Sequence, residues 1–205
     1  MGSIRAWMRI SVCLILFFGL FPGAQFLWAG GPLEDIRSTT ERILEILSDP
    51  GLEGSEHRAE RRKKVREVVD ERFDWEAISR SSLSTQWRNL SAAEKDEFTR
   101  VFSSLVERTY MDRLENYSGE EVIYLGEESD GGRARVRVKI VTRKNQEIPV
   151  EYRLRSGNGE WLVYDILIEG VSLVKNYRVQ FNDFLTKSSY AELMERLKAK
   201  VEQQS

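Results

Sequence analysis

Asp165 lies in the middle of the apolar stretch WLVYDILI, residues 161–168, and its surroundings favour chemistry more than those of any other acid in the chain. A carboxyl group in an apolar site has a raised pKa, and beside a tyrosine it can transfer a proton. Tyr110, Tyr152 and Tyr177 are the tyrosines that folding could bring near it. The alternative is a structural aspartate, hydrogen-bonded to the turn after the strand or paired with an arginine.

The other common catalytic constellations are absent from the sequence. His57 is the only histidine and Cys13 the only cysteine, so no set of histidines and cysteines can hold a metal ion. The chain has neither a G-x-S-x-G nucleophile elbow nor a glycine-rich phosphate loop. These absences leave Asp165 as the one catalytic candidate.

Residues 1–29 have the pattern of a cleaved secretory signal peptide, with Arg5 and Arg9 before a long apolar run and small residues after Trp28. We therefore expect export to the periplasm of a Gram-negative bacterium. The mature chain would contain no cysteine, and it would carry 29 basic and 33 acidic residues, a net charge of −4. This balance argues against a nucleic-acid partner.

Helical spacing of apolar residues predicts four helices before residue 117 and two after Gly170. The first covers 33–48, and Ser55 is expected to cap the second, which ends near Glu71. A short helix at 75–83 follows, and the capping box Ser91–Glu94 begins the longest one. Basic residues crowd the stretch 58–66, which is either a solvated helix face or a docking surface for acidic groups.

Period-two alternation predicts a meander of four antiparallel strands between residues 121 and 168. The first is expected at 121–126 and the second at 133–141, and the fourth at 160–168 contains Asp165. One face is apolar and the other charged, so helices should pack on one side of a curved sheet. We expect one α+β domain over 30–205, with helices at 33–117, the sheet at 121–168 and C-terminal helices at 171–202.

Several long motifs resemble the MlaC family, also called the toluene-tolerance family. They are RFDWEAISRSSLSTQW at 72–87, LSAAEKDEFTRVFSSLVERTY at 90–110, IPVEYRL at 148–154 and WLVYDILIEGVSLVKNYRVQF at 161–181. The similarity covers about residues 33–200. It implies an NTF2-like cone, in which a curved four-stranded sheet and about six helices enclose an apolar cavity.

The resemblance implies a carrier that is not an enzyme and whose cargo, rather than a cofactor, is a phospholipid. Family members move this lipid between an inner-membrane ABC transporter complex and an outer-membrane lipoprotein complex, which maintains outer-membrane lipid asymmetry. The implied partners are therefore the substrate-binding subunit of the transporter and the outer-membrane lipoprotein/porin complex, and we expect a monomer. A hopanoid-type cargo is an alternative, as is an enzyme on a similar cone that uses Asp165.

The expected cavity lining combines inward sheet residues with apolar residues of the helices. From the sheet we expect Val136, Val138, Ile140, Val150, Tyr152, Leu154 and Val163. From the helices we expect Leu83, Trp87, Phe102, Leu105, Tyr110 and Val174. Arg80, Arg88 and Lys175 are candidates to meet the phosphate of the headgroup at the mouth.

Overall fold

The computed structural model describes residues 30–115, 117, 119–157 and 159–203. The expected signal peptide lies outside these residues. Within them, no helix is both long enough and apolar enough to cross a membrane.

Six α-helices are present in the described residues, and the helical pattern predicted all of them. Two short 3-10 helices, Pro50–Leu52 and Ser84–Asn89, add to these. The α-helices are α1 Pro32–Leu47, α2 Arg58–Arg72, α3 Trp75–Leu83, α4 Ala92–Glu115, α5 Leu173–Leu185 and α6 Tyr190–Gln203.

Side-chain caps set most of the helix starts. Ser91 donates both its N–H and its hydroxyl to the Glu94 carboxylate at 2.8 and 2.7 Å, as the predicted capping box requires. The predicted cap of α2 is wrong: the helix begins at Arg58, with His57 in the N-cap position. Ser55 instead lies in the preceding turn, where its carbonyl accepts the Arg58 N–H.

The sheet has five antiparallel strands in sequential order, and the prediction of four was wrong. The missed strand contains only Val171 and Ser172, which pair with Ile168 and Leu167 directly after the turn at Gly170. Two residues are too few to show an alternating pattern. The strands are β1 Glu121–Asp130, β2 Arg133–Val141, β3 Glu147–Gly157, β4 Glu160–Ile168 and β5 Val171–Ser172.

The helices cover the sheet unevenly. Helix α1 packs on β1 and β2, whereas α3 and α5 pack on each other and on β4. Helix α4 packs on α3 and α6. Two apolar clusters result, which we call the helical core, centred on Phe98, Phe102 and Phe181, and the sheet core, centred on Val136, Leu154 and Val163. Phe73, between α2 and α3, packs against both.

Arginine side chains of the basic helix α2 form ion pairs with acidic side chains of α4. Three of them lie 2.6–3.3 Å from the carboxylate of Glu115, whose side chain is only 8 % exposed. The three arginines around Glu115 are Arg58, Arg61 and Arg62. Arg66 contacts Glu107 in the same way. This α2–α4 ionic seam shows that most of the basic charge at 58–66 serves intramolecular pairing.

Candidate functional site

The apolar face of the sheet is fully sealed at one end. In the row formed by Ala134, Leu154 and Val163, each residue is at most 3 % exposed. Side chains alternate between the faces of a strand, so residues two positions apart along each strand share this inward face. In the next row Val136 of β2 is completely buried, while Tyr152 of β3 and Ile166 of β4 retain accessible surface.

Toward the other end of β2 and β3, one more pair is buried and the last one is not. Val138 and Val150 face each other and are 3 % and 6 % exposed. Ile140 and Ile148 form the next pair and are both only half-buried, although they lie on the inward face. The inward face therefore offers accessible apolar surface at the Ile140–Ile148 end, which we call the open end of the sheet.

All seven sheet residues predicted as lining share the inward face. Across β2 and β3, Val136 pairs with Tyr152 and Val138 with Val150. Ile140 pairs with Ile148, and Leu154 lies between Ala134 of β2 and Val163 of β4. The predicted lining set left out other half-buried members of this face. Ile148 was expected on the apolar side of β3 but not included in the lining. The others are Val122, Tyr124, Ile166 and Ile168.

The predicted helical residues fall in the other cluster. Leu83, Trp87, Phe102, Leu105 and Val174 belong to the helical core, each at most 6 % exposed. Tyr110 is partly buried against it. The Phe102 ring is surrounded by aromatic rings, with centroids 4.8–5.4 Å away. The two predicted sets are thus joined through Phe73 rather than forming one continuous wall.

The predicted headgroup residues lie apart from one another along the chain and are all exposed. Arg80 is in α3, Arg88 in the following 3-10 helix and Lys175 in the first turn of α5. Within the described part of the chain, none of the three forms an ion pair.

The contacts of Asp165 are those of a residue with a structural role. Its side chain is 7 % exposed, and it accepts hydrogen bonds from the Ser172 hydroxyl at 2.7 Å and the Val174 N–H at 3.1 Å. Arg153 lies 3.7 Å away. Asp165 is opposite Arg153 in the sheet register, so it cannot share the inward face with Tyr152. Both carboxylate oxygens are engaged, and the arrangement serves to fix the start of α5.

Tyr152 combines desolvation with accessible surface. Burial raises the pKa of its hydroxyl to about 12, with a smaller contribution from nearby Tyr124. The residue is nevertheless only half-buried, and both of its neighbours across the sheet are apolar. Tyr152 therefore lies on the inward face between apolar side chains.

Two grooves elsewhere on the surface are lined mostly by charged and polar residues. One of about 300 Å³ runs between α4 and α6 past Glu97 and Lys198, and one of about 520 Å³ is lined by Glu76, Asp96, Thr99 and Arg100. Neither is lined by a predicted cavity residue. Among the described residues, no group of acids, histidines and cysteines could hold a metal ion.

Comparison with known proteins gives consistent matches. The family model described as MlaC protein matches residues 37–199. The intermembrane phospholipid transport system binding protein MlaC of Haemophilus influenzae is 25 % identical over 126 residues, 59 % of each chain. The toluene tolerance protein ttg2D of Pseudomonas putida is 26 % identical over 117 residues, 56 % of this chain and 54 % of the relative. The chain thus spans less than two thirds of these relatives.

A solved structure shares the fold. It is that of a phospholipid-binding protein from Ralstonia solanacearum in complex with a phospholipid, determined at 1.53 Å. The TM-score is 0.74 at 24 % identity, covering 85 % of this chain and 99 % of that one.

Proposed function

This chain belongs to the MlaC family, and from that premise we propose that it binds a phospholipid and carries it between membranes. The observation that carries the proposal is the open end of the sheet, where inward apolar residues keep accessible surface beside a sealed row. We propose further that sheet and helices form an NTF2-like cone, with the acyl chains held between the inward face and the helices.

The physical need for such a surface is large. Two acyl chains hold roughly 30 methylenes, and transfer of each to water costs about 0.8 kcal/mol, so free transit is opposed by roughly 24 kcal/mol. A protein surface of aliphatic and aromatic side chains only has to match the bilayer interior, which is about as apolar as leucine. No catalytic group is needed for this, and the structural environment of Asp165 fits that expectation.

The proposed route follows from the family. The chain would act in the periplasm after removal of residues 1–29, as a monomer. It would exchange lipid with an inner-membrane ABC transporter complex and with an outer-membrane lipoprotein complex, and so maintain lipid asymmetry. The relatives' names support the intermembrane and phospholipid parts of this route, and the lipid-bound structure with the same fold supports the cargo.

Transfer between vesicles tests the proposal. Donor vesicles with a fluorescent phosphatidylglycerol are mixed with unlabelled acceptors, and transfer is followed with and without the purified protein. We expect the wild type to accelerate lipid transfer. In Ile140→Glu this acceleration should be at least tenfold smaller, because a carboxylate at the open end resists desolvation. Leu125→Glu is the matched control, since Leu125 is 56 % exposed on a neighbouring strand. Equal transfer by both variants would contradict the proposed site.

A further inference from the structure

The outward, charged face of the sheet contains a block of four arginines. Arg133 of β2 lies directly opposite Arg155 of β3. The next outward pair, two residues along each strand, is Arg135 and Arg153. Side chains that face each other in this way have Cβ atoms about 5 Å apart, and like charges at such positions destabilise a sheet. The fold therefore gains no stability from placing these arginines opposite one another.

Within the described part of the chain, acids neutralise only the two arginines on β3. Arg153 lies 2.9 Å from Glu151 and 3.7 Å from Asp165. Arg155 contacts Asp74, the cap of α3. The β3 side of the block is thus held by acids of the protein itself.

The two arginines on β2 differ from those on β3. Arg133 and Arg135 are both exposed, and among the described residues neither forms an ion pair. The acid opposite Arg135 on β1 is Glu128, whose carboxylate lies 2.6 Å from Arg137 instead. Asp130 is opposite Arg133 but makes no ion pair with it. Two neighbouring outward cations on one strand are therefore available to a group from outside the chain.

The spacing of these two cations restricts the kind of ligand. Side chains on one face of a strand recur at every second residue, which places them about 6.7 Å apart. A second extended segment has the same period, so acids at its alternate positions can each meet one arginine. The guanidinium group suits this role because it binds a carboxylate through two parallel hydrogen bonds.

The charge of the whole molecule favours a protein segment over an anionic membrane. The formal net charge of the chain is −2, so an extended anionic surface repels the molecule as a whole. A short acidic segment is influenced mainly by charges within one Debye length, about 8 Å at physiological ionic strength. Such a segment can therefore bind locally where a membrane cannot.

We propose that Arg133 and Arg135 dock an extended acidic segment of a partner protein, with its carboxylates at alternate positions. This inference does not depend on the carrier function, because it concerns the face of the sheet opposite to the one assigned to the cargo. A partner on the outward face would leave the inward face free to hold lipid.

Binding of two synthetic peptides of equal charge tests the proposal. Acetylated and amidated Glu-Thr-Glu-Thr-Glu-Thr has acids at alternate positions, whereas Glu-Thr-Thr-Glu-Thr-Thr-Glu has them at every third position. Affinity is measured by NMR titration of the purified protein at low salt, and the wild type should bind the alternating peptide more tightly. An exposed ion pair changes affinity by about 1.5- to 5-fold, so the double variant Arg133→Gln/Arg135→Gln should bind that peptide roughly 2- to 25-fold more weakly.

Arg100→Gln/Lys187→Gln is the matched control, because it removes the same charge from two exposed residues outside the sheet. Its affinity for the alternating peptide should equal that of the wild type. The Tm of Arg133→Gln/Arg135→Gln should be no lower than that of the wild type, because the change relieves repulsion between opposed arginines. A lower Tm would assign the two arginines to the stability of the sheet and overturn the inference.

The peptide titrations can overturn it in three further ways. The first is equal affinity of the wild type for the two peptides, and the second is equal affinity of the wild type and Arg133→Gln/Arg135→Gln for the alternating one. The third is a wild type that binds phosphatidylglycerol vesicles but neither peptide, which would assign the arginines to a membrane surface.

Discussion

Asp165 accepts a hydrogen bond from the Ser172 hydroxyl at 2.7 Å, and this contact ties the end of β4 to the first turn of α5. The same hydroxyl accepts the Lys175 N–H at 3.0 Å as the helix cap. The second Asp165 oxygen accepts the Val174 N–H. An acid that sequence analysis singled out for chemistry therefore positions a helix over the sheet edge.

The first prediction concerns this anchor. Asp165→Asn should lower the free energy of unfolding by about 1–3 kcal/mol, because the amide replaces one acceptor of a buried, charge-assisted pair with a donor. Urea unfolding measures the change. In a double-mutant cycle with Ser172→Ala, we expect a coupling above 0.5 kcal/mol. Additive effects of the two changes would show that the contact contributes nothing to stability.

The α2–α4 ionic seam gives a second prediction. Burial alone would raise the pKa of Glu115, but hydrogen bonds and charges of Arg62 and Arg58 outweigh it, so the net pKa is lowered. Glu115→Gln should cost roughly 2–4 kcal/mol at pH 7, because arginines around a mostly buried site lose their counter-charge.

The pH dependence of that cost follows from the direction of the shift. A lowered carboxyl pKa stabilises the folded state above the ordinary value of 4.5, and the contribution is lost as pH falls through the folded pKa. The difference in free energy of unfolding between wild type and Glu115→Gln, measured with urea, should therefore become smaller below pH 4.5. Glu107→Gln is the control, since burial raises the pKa of Glu107 and the neutral side chain should cost less there. A difference in unfolding free energy that stays constant with pH would contradict the ion-pairing role of Glu115.

A third prediction concerns backbone strain at the end of α3. Ser84 has φ 54° and ψ −120°, a conformation that favours glycine. Ser84→Gly should raise stability by about 1 kcal/mol, measured as an upward shift of Tm. Ser81→Gly, within the same helix, should instead lower stability, because glycine is unfavourable in a helix interior. Destabilisation by both changes would mean that Ser84 is not strained.

Local motifs made much of the fold predictable from the sequence. The Ser91–Glu94 box and the alternation of β2 act over a few residues, so they can be recognised without tertiary information. The inward position of Ile166 was missed because the register shifts between Arg153 and Leu154, which changes the phase of the alternation along β4. The partner of the basic helix was missed because Glu115 lies more than 50 residues along the chain from the arginines it binds.

The candidate site was predictable only in part. Alternation correctly assigned the sheet residues to one face, but it carries no information on how that face is covered. Val136 and Tyr152 pair directly in the register, yet only Val136 is completely buried. Alternation likewise cannot predict that α1 packs mainly on β1 and β2. Helical spacing likewise could not separate Phe102, deep in the helical core, from residues near the sheet.

The central claim is that this chain carries a phospholipid, and native mass spectrometry of protein purified from its native host tests it most directly. We predict a population heavier than the polypeptide by the mass of one two-chain phospholipid, which is lost on denaturation and recovered in a solvent extract. The Ile140→Glu variant, purified in parallel, should show little of this adduct, and Leu125→Glu should show as much as the wild type. Wild-type protein found only at the polypeptide mass, even after incubation with phosphatidylglycerol vesicles, would contradict the account.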